Sequence, residues 1–280
     1  MPVLDIKSTV ESLPTPAADR TALVTGASSW IGEAISRELA RRGHQVVLVA
    51  RRAEKLEELA TELRAAGGRA HVLGADLSDR SARATLLDRV GELGLTLDIL
   101  VNNAGLSTLG PVAASDPDAE MNMIEVDVMA VADLCSRALP GMVQRRRGAV
   151  LNVASTAAFQ PLPGQAAYAA GKAFVLSYTE SLTGELKGTG VTATALCPGP
   201  VDTGFGETAG FAKEDAEAAL PSFMWESPES VARTGIDGLD KGHMIAIPGL
   251  ANRAASVFAH LAPNKLLVPV LANRHPGLRT

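Results

Sequence analysis

Tyr168 and Lys172 stand four residues apart in the segment AAYAAGKAF, and Ser155 lies thirteen residues before the tyrosine. On a helix, side chains at i and i+4 share one face. A free phenol titrates near pH ~10, too high for efficient acid–base work near neutrality. An ammonium beside it stabilises the phenolate and lowers that value. A serine hydroxyl can hold a substrate oxygen next to the phenol. Such a trio can exchange a proton with an oxygen on carbon. The same Tyr–Lys spacing also occurs on ordinary helix surfaces. Tyr178, the other of the chain's two tyrosines, has Leu182 four positions on and no such partner.

For these groups to meet, a strand must end at Ser155 and a helix must carry Tyr168 and Lys172. The pattern supplies both. Short apolar runs at 21–25, 45–50, 71–75, 97–103, 149–155, 191–197 and 244–248 read as buried strands. Helical patterns lie between them, at 31–42 closed by Gly43, and from Ala53 with Leu56, Leu59 and Leu63 on one face and Gly67 at the stop. Another follows Ser78, read as its cap, and further ones span roughly 117–147 and 166–187. Apolar strands alternating with amphipathic helices predict a parallel sheet covered on both faces. The fold class is therefore α/β, a single doubly wound Rossmann-type sheet flanked by helices. Residues 1–19, broken by Pro14 and Pro16, read as an N-terminal extension. Residues 20–280 read as one domain, with 204–280 serving substrate and oligomer contacts.

The first strand runs into Thr25-Gly26-Ala27-Ser28-Ser29-Trp30-Ile31-Gly32. Glycines there let the backbone approach phosphate, and the helix that follows points free N–H groups and a positive dipole end at an anion. The second strand ends in Ala50-Arg51-Arg52, with no acid to bind a ribose 2′-hydroxyl. A guanidinium fork at Arg51 suits a 2′-phosphate, which favours NADP(H); a solvated loop start is the alternative. Asp76 could accept from an adenine amino group or cap the next helix. Asn102-Asn103-Ala104-Gly105 leaves room for a ring at the sheet edge, or is a simple turn. Pro198-Gly199-Pro200-Val201-Asp202-Thr203 turns sharply over the same edge, or is a plain loop. With a nicotinamide in place, the Ser155, Tyr168 and Lys172 set can pass a proton to a carbonyl oxygen as hydride reaches its carbon.

Across residues 21–203 these motifs, in this order, resemble the short-chain dehydrogenase/reductase family. The resemblance implies Tyr168 as acid–base, Lys172 on the nicotinamide ribose and Ser155 on the substrate oxygen. It implies Gly26 and Gly32 shaping the phosphate turn, Ser28 and Arg51 near the adenosine phosphate, Ala104 beside the cofactor, and Val201 and Thr203 at the carboxamide. Ile31, Asp76 and Asn103 complete the cofactor-facing set, and a homodimer or homotetramer is implied. Two positions depart from the family pattern. Trp30 replaces a small residue, and its indole either obstructs the pyrophosphate or turns into the substrate cleft or onto a neighbouring helix. Asp127 replaces an asparagine of a proton relay; its carboxylate would face Lys172 and raise that lysine's pKa. These departures leave an alternative, a cofactor-binding regulatory or scaffold protein with little turnover.

Composition excludes other classes. A net charge of −5 and 4% aromatics give no case for nucleic-acid binding. Cys135 and Cys197 lack metal or redox spacing and read as buried thiols, and no metal site is expected. No signal peptide or spanning segment is expected, so a cytoplasmic protein is. Phe205, Phe211, Phe223, Met224 and Trp225 form the most aromatic stretch, either a lid over an apolar substrate or a satellite core. From Lys241 to Thr280 there is no acid, and two apolar segments lie among basic residues. They read as helices packed on the body or a partner subunit, with docking on a membrane surface as the alternative.

Overall fold

A computed structural model describes residues 13–28, 30–203, 221–274 and 276–278. Seven strands, β1 (Arg20–Thr25), β2 (Gln45–Ala50), β3 (Ala70–Gly74), β4 (Thr96–Asn102), β5 (Gly148–Val153), β6 (Val191–Leu196) and β7 (Ile245–Ala246), form one parallel sheet in the order β3-β2-β1-β4-β5-β6-β7. The order reverses between β1 and β4, and that crevice is where α/β sheets of this kind take ligands.

Successive strand residues feed opposite faces. Leu23, Val47, Leu100 and Val150 join Leu86, Leu134 and Val175 on one side of the sheet. Ala22, Val24, Leu48, Ile99 and Leu151 join Ile35, Leu56 and Ile236 on the other. The helices that cover these faces are α1 (Trp30–Arg41), α2 (Ala53–Ala65), α3 (Arg80–Glu92), α4 (Pro117–Ile124), α5 (Ala130–Arg145), α6 (Ala166–Glu185) and α7 (Pro228–Asp240). Two more, α8 (Leu250–Leu261) and α9 (Asn264–Arg274), follow β7. The predicted architecture is thus the one observed.

Details differ from the sequence reading. Asp79, not Ser78, caps α3, accepting from the Ser81 N–H at 2.8 Å. Asp76 Oδ1 instead accepts from the Ser78 N–H and hydroxyl, a local turn that leads into the cap. The 117–147 stretch is two helices joined by a π-helical turn at Glu125–Met129. Part of the expected extension packs on the domain: Leu13 is buried in the core, with its N–H donating to Asp240 Oδ1 at 2.9 Å. Thr15 carbonyl accepts from Arg147, whose Nε also reaches Asp98 at 2.6 Å.

Cys135 and Cys197 are fully buried, and burial pushes both thiols up to about 12. Their folded pKa therefore lies above the value in the unfolded chain. The stability they contribute is present below about pH 9 and is lost as pH rises toward about 12. Calorimetric melts should show a Tm that falls steadily through this window. A Tm unchanged across it would contradict the burial of both thiols.

Candidate active site

Gly26 follows β1 with φ +64°, a conformation glycine adopts without strain. A Cβ there would sit 2.8 Å from Ala104 Cα, and a Cβ at Gly32 would sit 2.2 Å from the Gly26 carbonyl. The turn is therefore bare backbone packed against the end of β4. Thr25 Oγ1 accepts from the N–H groups of Asn103 and Ala104 at 2.9 and 3.0 Å. Asn103 Nδ2 donates to the carbonyls of Thr25 and Gly26 at 2.9 and 3.3 Å. The amide of Asn103 thus fixes the turn itself. This side-chain-free cradle, partly exposed at Gly26, at the N-terminus of α1 fits a dinucleotide pyrophosphate.

A cavity of about 270 Å³ opens beside the cradle, over the ends of β1, β4, β5 and β6. Gly26, Trp30, Ile31, Asn103, Ala104, Ser155, Tyr168, Lys172, Val201 and Thr203 all line it. Val153, Ala154, Pro198, Pro200 and Trp225 give it an apolar wall. The Pro198–Thr203 turn is held in place by Glu226, whose N–H donates to the Pro200 carbonyl at 3.0 Å and whose carbonyl accepts from Asp202 at 3.1 Å. Phe223 is exposed and Trp225 lines the cavity, whereas Phe205 and Phe211 lie outside the described residues.

Ser155 lies two residues beyond the end of β5, not at the strand end expected, and caps the turn Thr156–Phe159, its Oγ accepting from the Ala157 N–H at 3.1 Å. It also hydrogen-bonds the Tyr168 phenol. One turn along α6, Lys172 Nζ lies 5.6 Å from the Tyr168 ring centre and donates to the Val153 carbonyl at 3.3 Å. Burial pushes the Tyr168 phenol up; Lys172 and Ser155 pull it down but do not overcome burial. The lysine thus lowers this value as expected, but burial outweighs it and leaves the phenol above its ordinary value. The phenol therefore stays protonated at neutral pH.

Asp127 sits on the π-helical turn, 2% exposed, with Oδ2 2.9 Å from Lys172 Nζ. Its Oδ1 accepts from the Leu106 N–H at 2.7 Å. A Cβ on Gly105 would come within 3.2 Å of both Asp127 Oδ2 and Lys172 Nζ, so the glycine after Ala104 makes room for the pair. Burial acts to drive the Lys172 ammonium down, but Asp127 and the Tyr168 oxygen hold it above the ordinary lysine range. Burial pushes the Asp127 carboxyl up, against the pull of Lys172. The carboxylate thus faces Lys172, and the lysine's pKa is raised as its charge predicts.

Trp30 opens α1 at φ +45°, a conformation that costs a side-chain-bearing residue about 1–2 kcal/mol. Its indole forms part of the cavity wall. At the other end of the cradle, Arg52 Nη2 lies 3.4 Å from the buried Ser28 hydroxyl, and both Arg52 and the neighbouring Arg51 are exposed. Sequence reasoning missed a buried polar rung behind the site. Asn102 Nδ2 donates to Asn152 Oδ1 at 2.8 Å, and Asn152 Nδ2 donates to Thr179 Oγ1 at 2.9 Å. The signal available was two asparagines at matching positions inside otherwise apolar strands.

A glycine turn at the switch point of a doubly wound sheet, opening on a Ser–Tyr–Lys cavity, defines a nucleotide-binding α/β protein. The short chain dehydrogenase family model matches residues 20–213, and the chain belongs to that family. It is 43% identical over 190 residues to a short chain dehydrogenase of Pseudocercospora fijiensis, covering 67% of this chain and 61% of that protein's length. A 7β-hydroxysteroid dehydrogenase structure superposes with a TM-score of 0.81 at 26% identity, over 93% of this chain and 99% of that one. A short-chain dehydrogenase from Sphingobium yanoikuyae in complex with NADPH superposes with a TM-score of 0.75 at 29% identity, over 93% and 98%.

Proposed function

We propose that this protein is an NADP(H)-dependent oxidoreductase that interconverts a carbonyl and an alcohol on an apolar small molecule. The observation that carries this reading is the convergence of Ser155, Tyr168 and Lys172 on the cavity that adjoins the glycine cradle. Gly26, Gly32 and the α1 N-terminus would hold the pyrophosphate, with Ala104, Val201 and Thr203 along the nicotinamide end. The bound nicotinamide supplies or accepts the hydride. Ser155 holds the substrate oxygen. Tyr168 gives that oxygen its proton in reduction and takes it back in oxidation. The Lys172 ammonium stabilises the phenolate that remains. Val153, Pro198, Pro200 and Trp225 favour an apolar body on the substrate.

The purified protein should consume NADPH with a panel of aryl and cyclic ketones, or reduce NADP⁺ with the matching alcohols. Failure with both panels, despite calorimetric binding of NADPH, would overturn the oxidoreductase reading.

The preference for NADP(H) is supported by Arg52 at Ser28 and by the absence of an acid after β2. Removing one charge-assisted contact to a phosphate costs about 1.5–3 kcal/mol, or roughly 10- to 100-fold in Kd. Arg52→Ala should weaken NADPH binding by that factor and leave NADH nearly unchanged. Equal losses for the two cofactors would remove the phosphate role. A loss confined to Arg51→Ala would assign the clamp to Arg51.

A further inference from the structure

The C-terminal helix α8 packs on the body with its polar side. Its buried residues are Asn252, Ser256 and Ala259, an i, i+4, i+7 stripe. Asn252 Nδ2 donates to the carbonyls of Met224 and Pro248 at 3.0 and 3.1 Å, which fixes the helix in this rotation. Leu250, Val257, Phe258 and Leu261 fall on the opposite stripe and are 82%, 54%, 68% and 72% exposed. Leu266, Val268 and Val270 of α9 are exposed as well. An exposed apolar stripe like that of α8 marks a binding surface.

Charge selects the occupant. Residues 241–280 contain no Asp or Glu but carry Lys241, Arg253, Lys265, Arg274 and Arg279. This segment is +5 in a chain of −5, leaving −10 on the rest. Arg253 and Lys265 lie on the two helices themselves, so a second copy docked through the same face would set like charges against each other, with no acid on either helix to balance them. An anionic lipid surface satisfies both the apolar stripe and the charge. Among the described residues no helix is long and apolar enough to cross a membrane, so contact is in the plane of the interface.

We infer that α8 and α9 dock the protein onto anionic lipid surfaces. The position of α8 gives this consequence. The helix touches the turn Thr156–Phe159 that follows Ser155, with the Phe159 and His260 rings edge to face at 6.4 Å. Asn252 also packs against Gly199 and holds Met224, next to Trp225. Docking therefore sets α8 between the lipid boundary and the segments beside the cavity. If the proposed reaction holds, an apolar substrate dissolved in lipid lies one helix away from its site; the docking itself is independent of that reaction.

The test is co-sedimentation of the full chain with phosphatidylcholine vesicles and with vesicles containing phosphatidylglycerol. Binding to the anionic vesicles is expected, falling with added salt. The double variant Phe258→Ser, Leu261→Ser should bind roughly tenfold or more weakly, and Lys265→Glu about fivefold or more weakly. All three side chains are exposed, so the fold should persist, and NADPH titration of the double variant should match the parent. Failure to bind either vesicle, or equal binding by parent and double variant, would overturn docking. So would a concentration-dependent dimer that the double variant abolishes in a protein with no affinity for vesicles.

Discussion

Tyr168→Phe should lower kcat by about 10²- to 10⁴-fold, the contribution of a positioned acid–base group. The substitution removes one oxygen and leaves the ring against Lys172. NADPH affinity, measured by calorimetry, should stay within about threefold of the parent, a change below 1 kcal/mol. The pH dependence carries a sign of its own. Burial holds the phenol above its ordinary value, so its acid form persists throughout the neutral range. Reduction should therefore be flat across neutral pH and decline only as the phenol ionises in alkali. Turnover unchanged in Tyr168→Phe would take the proton transfer away from this residue. An alkaline decline that survives in the residual activity of Tyr168→Phe would assign it to another group.

Asp127→Ala should be among the most damaging single changes to stability. Lys172 is 5% exposed, and its ammonium faces Asp127 at 2.9 Å. Removing one partner of a buried pair typically costs about 3–5 kcal/mol, because the other charge is left without compensation. The Leu106 N–H would also lose its acceptor. Asp127→Asn keeps an oxygen for that N–H and should cost less. It also tests the electrostatics. The raised Lys172 pKa means that its contribution to stability is complete below the ordinary lysine range and is lost as pH rises above it. In Asp127→Asn that alkaline loss should begin at lower pH. Denaturant unfolding of the three proteins as a function of pH measures both effects. Equal stability of parent and Asp127→Ala would mean the pair contributes nothing.

The sheet was legible because a parallel strand buried on both faces must be apolar throughout, and the helices between must show a periodic stripe. Ser155, Tyr168 and Lys172 were legible because their geometry is set by the turn just past one strand and by one helix turn. What was hidden depends on contacts distant in sequence or on a choice between neighbours. Arg51 and Arg52 follow the last residue of β2, and it is Arg52 that reaches Ser28. Ser78 and Asp79 are equally acceptable caps by type. The Asn102–Asn152–Thr179 rung spans three elements, and the docking of Leu13 spans most of the chain. In α8 the apolar pattern suggested core packing, yet small polar residues make the contact with the body.

Trp30 and Trp225 are the chain's two tryptophans, and both line the cavity. All indole emission from this protein therefore originates in the wall of its own site. A molecule entering the cavity alters the entire signal, undiluted by distant fluorophores. The two rings also differ in address: Trp30 adjoins the glycine cradle, while Trp225 lies beside the segment that α8 holds. Replacing one or the other with phenylalanine would divide the emission into a cradle channel and a mouth channel. The protein is built with an optical probe at each end of its ligand path.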